Sequence, residues 1–92
     1  NFAMVKDKLA LPPVDVGAAL DRLKAATPEA EVNDIDGVKF DLEEGWVHLR
    51  KSNTEPIIRI YSEAGTDQEA QALADRFKAA LKRELDSAGT IA

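Results

Sequence analysis

Asp36-Gly37-Val38-Lys39-Phe40-Asp41-Leu42-Glu43-Glu44-Gly45-Trp46-Val47-His48-Leu49-Arg50 is the stretch that decides the fold. Val38, Phe40 and Leu42 alternate with Lys39 and Asp41, and Val47 and Leu49 alternate with Trp46, His48 and Arg50. Period-two alternation marks half-buried strands, because successive side chains point to opposite faces. Asp36-Gly37 and Glu44-Gly45 punctuate the runs with residue pairs that tight hairpins use for positive φ. Further along, Ile58 and Ile60 alternate with Arg59 and Tyr61. The pattern predicts an antiparallel meander with strands near 31–35, 38–43, 46–51 and 57–63. The last strand is entered through a longer loop, Ser52 to Pro56.

Helical periodicity flanks this meander. Val16, Ala19, Leu20, Leu23 and Ala26 recur at spacings of three and four, which predicts a helix over 15–26. Asp15 is its expected N-cap and Thr27-Pro28 its stop. After the strands, Thr66-Asp67-Gln68-Glu69 fits a capping box. Ala70, Leu73, Phe77, Ala80, Leu81 and Leu85 then make an apolar stripe that Gly89 ends. The first fourteen residues mix apolar and basic side chains before Pro12-Pro13, and read as a lead-in strand or an interdomain connector. The expected architecture is therefore α+β: a four-stranded antiparallel sheet with two flanking helices, residues 15–92 forming the domain.

Composition narrows the function. The 92 residues carry 17 acids and 12 bases, a net charge of −5. That disfavours broad nucleic-acid binding, which wants a strongly basic face. Cysteine is absent and there is one histidine, so thiolate sites and multi-histidine metal clusters are excluded. Apolar runs fall far short of the ~18–20 residues of a membrane span, and no signal-peptide pattern opens the chain. The expectation is a cytoplasmic protein without a membrane partner. Met4 is the only methionine and the chain opens on Asn1, which suggests a piece of a longer protein.

One segment is not explained by fold-making. Arg50-Lys51-Ser52-Asn53-Thr54-Glu55-Pro56 sets a guanidinium, two hydroxyls and an amide between two strands. With Arg59, residues 50–59 hold three bases and one acid, a local +2. A phosphate monoester wants such a set: a planar fork for two oxygens, short donors for the rest and free backbone N–H groups. Arg50 would give the fork, and Ser52, Asn53 and Thr54 the donors. A plain turn stands beside this reading, since Ser, Asn and Thr make turns, and Arg59 could simply pair with Glu55. Asp34-Ile35-Asp36-Gly37 resembles the start of a metal loop but lacks the further acids, so no metal site is expected. His48 and Trp46 share a strand face with Arg50, where a rim or interface role is open. Ser52 is not read as a nucleophile.

Together, Asp36-Gly37-Val38-Lys39, Gly45-Trp46-Val47, the run Arg50 to Tyr61 and Glu63-Ala64 resemble the C-terminal domain of the α-D-phosphohexomutases. These are the phosphoglucomutase, phosphomannomutase and phosphoglucosamine mutase enzymes, of the isomerase class. The resemblance implies a TATA-binding-protein-like fold and the fourth domain of a four-domain enzyme. That enzyme interconverts hexose 1- and 6-phosphates using a phosphoserine and a magnesium ion held in other domains.

Here the implied role is to grip the substrate phosphate through Arg50, Ser52, Asn53, Thr54 and Arg59, with Glu55 and Lys51 supporting the loop. The phosphosugar and the other three domains are the implied partners. No catalytic residue and no cofactor is expected in this chain, which alone should be inactive. Asn53, where phosphoglucosamine mutases often carry glycine, tilts the implied substrate toward a glucose or mannose phosphate. The alternative is a free-standing interaction or anion-binding module that uses Trp46, His48 and the open sheet face.

Overall fold

The computed structural model describes residues 2–89. The alternation in the central stretch folds into β3 (Val38–Asp41), β4 (Gly45–Lys51) and β5 (Ile57–Ala64), preceded by a short β2 (Glu31–Asn33). Val38, Phe40, Val47, Leu49, Ile58, Ile60 and Ala64 all point to one face and are buried. β2 stops at Asn33, short of the expected 35, because the Asn33 side chain accepts the Ile35 N–H at 3.0 Å and turns the chain.

The sheet has five strands, not four. Residues of the expected lead-in form β1 (Ala3–Ala10), which pairs antiparallel with β5 along its whole length, from Ala3 opposite Ala64 to Ala10 opposite Ile57. The strand order is β1-β5-β4-β3-β2, so the first strand closes the free edge of the last. Its burial alternates residue by residue, with Ala3, Val5 and Leu9 packed against the core.

Helices α1 (Val16–Ala25) and α2 (Asp67–Ser87) complete the domain. Asp15 caps α1, its carboxylate accepting the Ala18 N–H at 3.0 Å. Ala26, expected on the apolar stripe, is the exposed C-cap, and Thr27 is buried in its place with its hydroxyl donating to the Leu23 carbonyl at 2.8 Å. In α2, Ala70, Leu73, Ala74, Phe77, Leu81 and Leu85 face the sheet, while Ala80 is half-buried. The Thr66 hydroxyl accepts the Glu69 N–H at 3.1 Å, but the Glu69 carboxylate returns to that hydroxyl at 2.9 Å instead of to the backbone. The buried Ser62 hydroxyl donates to the Ala70 carbonyl at 2.7 Å and ties β5 to the first turn of α2. Arg22–Glu84 joins the two helices at 2.9 Å.

The hairpin glycines work in different ways. Gly37 has φ +67°, as the Asp-Gly turn requires. Gly45 is not a turn residue: Leu42 and Gly45 exchange backbone hydrogen bonds across Glu43 and Glu44, and Gly45 opens β4. Glycine is needed there because a Cβ would sit 2.1 Å from the Glu63 carbonyl oxygen. Gly45→Ala is therefore expected to lower Tm by at least about 5 °C, the shift that ~1 kcal/mol produces in a domain of this size. An unchanged melting curve would show that the two strands can separate there at no cost.

Asp7 sits on the inner face of β1 and reaches Lys78 of α2 at 3.2 Å. The Lys8 backbone N–H donating to its carboxylate holds Asp7 below the ordinary value of 3.8; partial burial opposes this and Lys78 reinforces it. A carboxyl with a depressed folded-state pKa stabilises above its unfolded value and loses that contribution as pH falls through the folded one. Asp7→Asn should thus lower the urea midpoint at pH 7, and the gap from the unsubstituted chain should close below pH 3.8. A gap that stays constant with pH would assign the effect to packing.

Candidate functional site

The two helices cover one face of the sheet and leave the other open. β4 and β5 run side by side into the Ser52–Pro56 loop, and their register places Arg50 directly opposite Arg59. Both arginines are exposed on the open face. Facing like charges destabilise an antiparallel pair unless something negative lies between them. Arg50 has a partner in Asp36, 3.6 Å away in the β2–β3 turn. Arg59 has no ion pair among the described residues, so the alternative reading in which it pairs with Glu55 is not what the fold adopts.

The loop is shaped by Ser52. Its hydroxyl oxygen accepts the N–H groups of Thr54 and Glu55, both at 3.2 Å. Ser52 in turn donates its own N–H to the Ile57 carbonyl at 3.0 Å, and Ile57 N–H donates to Glu55 at 2.8 Å. Most backbone donors of the loop are thereby used internally, contrary to the expectation of several free N–H groups. The Ser52 hydroxyl proton, the Asn53 amide and the arginines remain as donors.

Arg50, Lys51, Ser52, Asn53, Arg59 and Tyr61 line a cavity of about 200 Å³. It holds no carboxylate. Thr54 does not line it: its hydroxyl lies 3.4 Å from that of Ser52, within the loop. Glu55 is exposed outside it. Tyr61 is the lining residue that the sequence reading missed, although period two places it on the same face as Arg59. A larger cavity of about 400 Å³ lies across the loop, against α1, and shares Arg50, Lys51 and Asn53. Asp21, Asp34 and Asp36 line it against Lys24, Arg50 and Lys51, so its charges balance, whereas the smaller cavity is lined by cations with no acid.

His48 braces the site from below. Its Nε2 lies 2.5 Å from the Asp36 carbonyl, which can only accept, so the ring carries its proton on Nε2. That bond pins the Asp36-Gly37 turn, and Asp36 then holds Arg50. Trp46 lies under Lys39, whose ammonium is 5.0 Å from the ring centroid. Asp34 pairs with Lys24 at 3.1 Å. The hydrogen bonds that its ammonium donates to Asp21 and Asp34 raise the Lys24 pKa above its ordinary value. No group of three or more His, Cys, Asp or Glu converges among the described residues. No described helix is long and apolar enough to cross a membrane.

The chain is thus an α+β domain in which two neighbouring strands carry facing arginines into a Ser-Asn-Thr loop. Residues 4–80 match the family model for the C-terminal domain of phosphoglucomutase/phosphomannomutase. The chain belongs to that family and constitutes its C-terminal domain.

It is 38% identical over 87 residues to a phosphoglucosamine mutase of Frankia casuarinae, covering 92% of this chain and 19% of that one. It is 42% identical over 55 residues to a phosphomannomutase/phosphoglucomutase of Pseudomonas putida, covering 60% and 12%. A crystal structure of a phosphoglucomutase/phosphomannomutase family protein from Burkholderia thailandensis superposes with a TM-score of 0.67 at 29% identity, over 97% of this chain and 19% of that one. The chain spans about a fifth or less of the length of these relatives.

Proposed function

We propose that this domain grips the non-reacting phosphate of a hexose phosphate within a phosphohexomutase of the phosphoglucomutase/phosphomannomutase type. The observation that carries the reading is the facing pair Arg50 and Arg59 at the mouth of a carboxylate-free cavity lined by Ser52 and Asn53. A dianion removes the repulsion between the two guanidiniums and receives donors from the loop. Thr54 and Glu55 serve by holding the Ser52 hydroxyl in place. Lys51 lines the cavity rim and adds charge.

A domain that binds the remote phosphate supplies binding energy for orientation while the chemistry takes place elsewhere in a longer chain. The grip addresses the phosphate and not the sugar, which suits a reaction whose substrate carries phosphate at either end. Most of the similar proteins are named phosphoglucosamine mutase and one phosphomannomutase/phosphoglucomutase, so the choice of a glucose or mannose phosphate rests on Asn53 in place of glycine.

Isomerisation by the full-length chain that carries this domain is the test. Glucose 1-phosphate or mannose 1-phosphate should be converted to its 6-phosphate in the presence of magnesium, faster than glucosamine 1-phosphate. No turnover of any of the three would overturn the reading. Faster turnover of the glucosamine ester would overturn the choice of sugar alone.

A further inference from the structure

The facing arginines belong to a longer row. β1 pairs with β5 in a register that sets Lys8 opposite Arg59, while Arg59 is opposite Arg50 on β4. Three cations from three adjacent strands therefore stand side by side on the open face, and all three are exposed. Facing residues of antiparallel strands are about 4.5–5.5 Å apart at Cα, within the span of these long side chains. The chain carries 17 acids, yet Lys8 and Arg59 have no ion pair among the described residues. Six other cations do, namely Arg22, Lys24, Lys39, Arg50, Arg76 and Lys78.

The acid next to Lys8 in sequence is turned away. Asp7 points to the helix side, where it binds Lys78. On the open face the next row holds Lys6, Tyr61, His48 and Lys39, with no carboxylate. Glu63 and Asp41 come only in the row beyond, beside Trp46 and four residues from the cationic row, roughly 13 Å along the strands.

Resting on the phosphate-grip reading, we infer that Lys8 is a third cationic contact for the bound phosphate, supplied by β1. Arg50 is relieved at one end by Asp36, but Lys8 and Arg59 face each other with no carboxylate, which raises the energy of the unliganded sheet, and one dianion placed over the row relieves that repulsion. Lys8 differs in kind from its neighbours. Its ammonium is a point charge with rotatable donors on a flexible stem, whereas a guanidinium presents a fixed fork. Lys8 thus adds attraction without adding an orientational demand, as fits a phosphate that arrives on either end of a sugar. It also ties the edge strand to site occupancy, because β1 then gains a ligand contact that none of its pairing bonds provides.

Titration of the isotopically labelled chain with inorganic phosphate at fixed ionic strength, followed by amide shifts, tests this contact. Lys8→Gln should weaken Kd about three- to tenfold, the range of one charge-assisted contact at a solvated site. Lys8→Arg should stay within about twofold of the unsubstituted chain, and Lys82→Gln on exposed α2 should change nothing. Thermal melts should be alike for all four proteins.

Shifts at residues 50–59 with an unchanged Kd in Lys8→Gln would overturn the Lys8 contact and leave the phosphate grip standing. Equal weakening in Lys8→Arg and Lys8→Gln would also overturn a charge contact. No shift at residues 50–59 in the unsubstituted chain would overturn the grip itself, and the Lys8 contact with it.

Discussion

Phe77→Ala is expected to lower the unfolding free energy by about 3–5 kcal/mol, the range for emptying a buried aromatic position. Phe77 is 1% exposed, and its ring centroid lies 4.9 Å from that of Phe40, in a tilted pair worth somewhat more than its area alone. Phe40 comes from β3 and Phe77 from α2, so the pair joins the far side of the meander to the helix that covers it. The core cluster to which Phe77 belongs is held by strands and helices, so its side chains cannot collapse fully into the space. A domain of this length has a total stability of about 5–14 kcal/mol, so the loss is a large share of the whole. Urea unfolding should show a lower midpoint with an unchanged slope, since the surface exposed on unfolding is nearly the same. A change under 1 kcal/mol would mean that the Phe40–Phe77 contact is not packed as described.

Arg50→Ala should act in the opposite sense, sparing the fold and removing the ligand. Arg50 is exposed, and its ion pair with Asp36 spans 3.6 Å at the surface, where such pairs contribute little. The stability change should stay within about 0.5 kcal/mol. Phosphate affinity should fall by roughly 30- to 1,000-fold, the equivalent of about 2–4 kcal/mol for losing the charge-assisted fork at the centre of the cationic row. Arg50→Lys should recover part of the loss, since it restores charge without the planar geometry. Isothermal titration with inorganic phosphate reads the affinity, and a thermal melt reads the fold. If Arg50→Ala unfolds the domain, Arg50 is a structural residue and the site assignment is wrong.

The meander was legible because its strands are neighbours in sequence and its core positions alternate without interruption, from Val38 to Ile60. β1 was harder to read for two physical reasons. Its partner, β5, lies some fifty residues away, so no hairpin turn announces the pairing. Asp7 occupies an inner-face position and breaks the apolar alternation, and its acceptability depends on Lys78 across the fold.

Gly45 was recognised as necessary for the wrong reason. A Glu-Gly pair looks like a turn, but the demand comes from the Glu63 carbonyl on a strand that local sequence does not show to be so close. The site followed the same division. Arg50, Lys51, Ser52 and Asn53 are contiguous, and Arg59 follows on the next strand, so the cavity could be assembled from the chain alone. The internal use of the Thr54 and Glu55 N–H groups, the Asp36–Arg50 pair and the His48 bond to the Asp36 carbonyl depend on three-dimensional geometry. Type and spacing do not encode it.

In the proposed function the loop recognises a phosphate and not the sugar that bears it. An amide-shift titration of this chain with glucose 1-phosphate, glucose 6-phosphate and inorganic phosphate, beside unphosphorylated glucose, separates the two. Shifts are expected at residues 50–61 with all three phosphates, with affinities within a few-fold of one another, and no response to glucose. Shifts with glucose, or shifts centred on Asp21, Asp34 and the larger cavity, would contradict the phosphate reading.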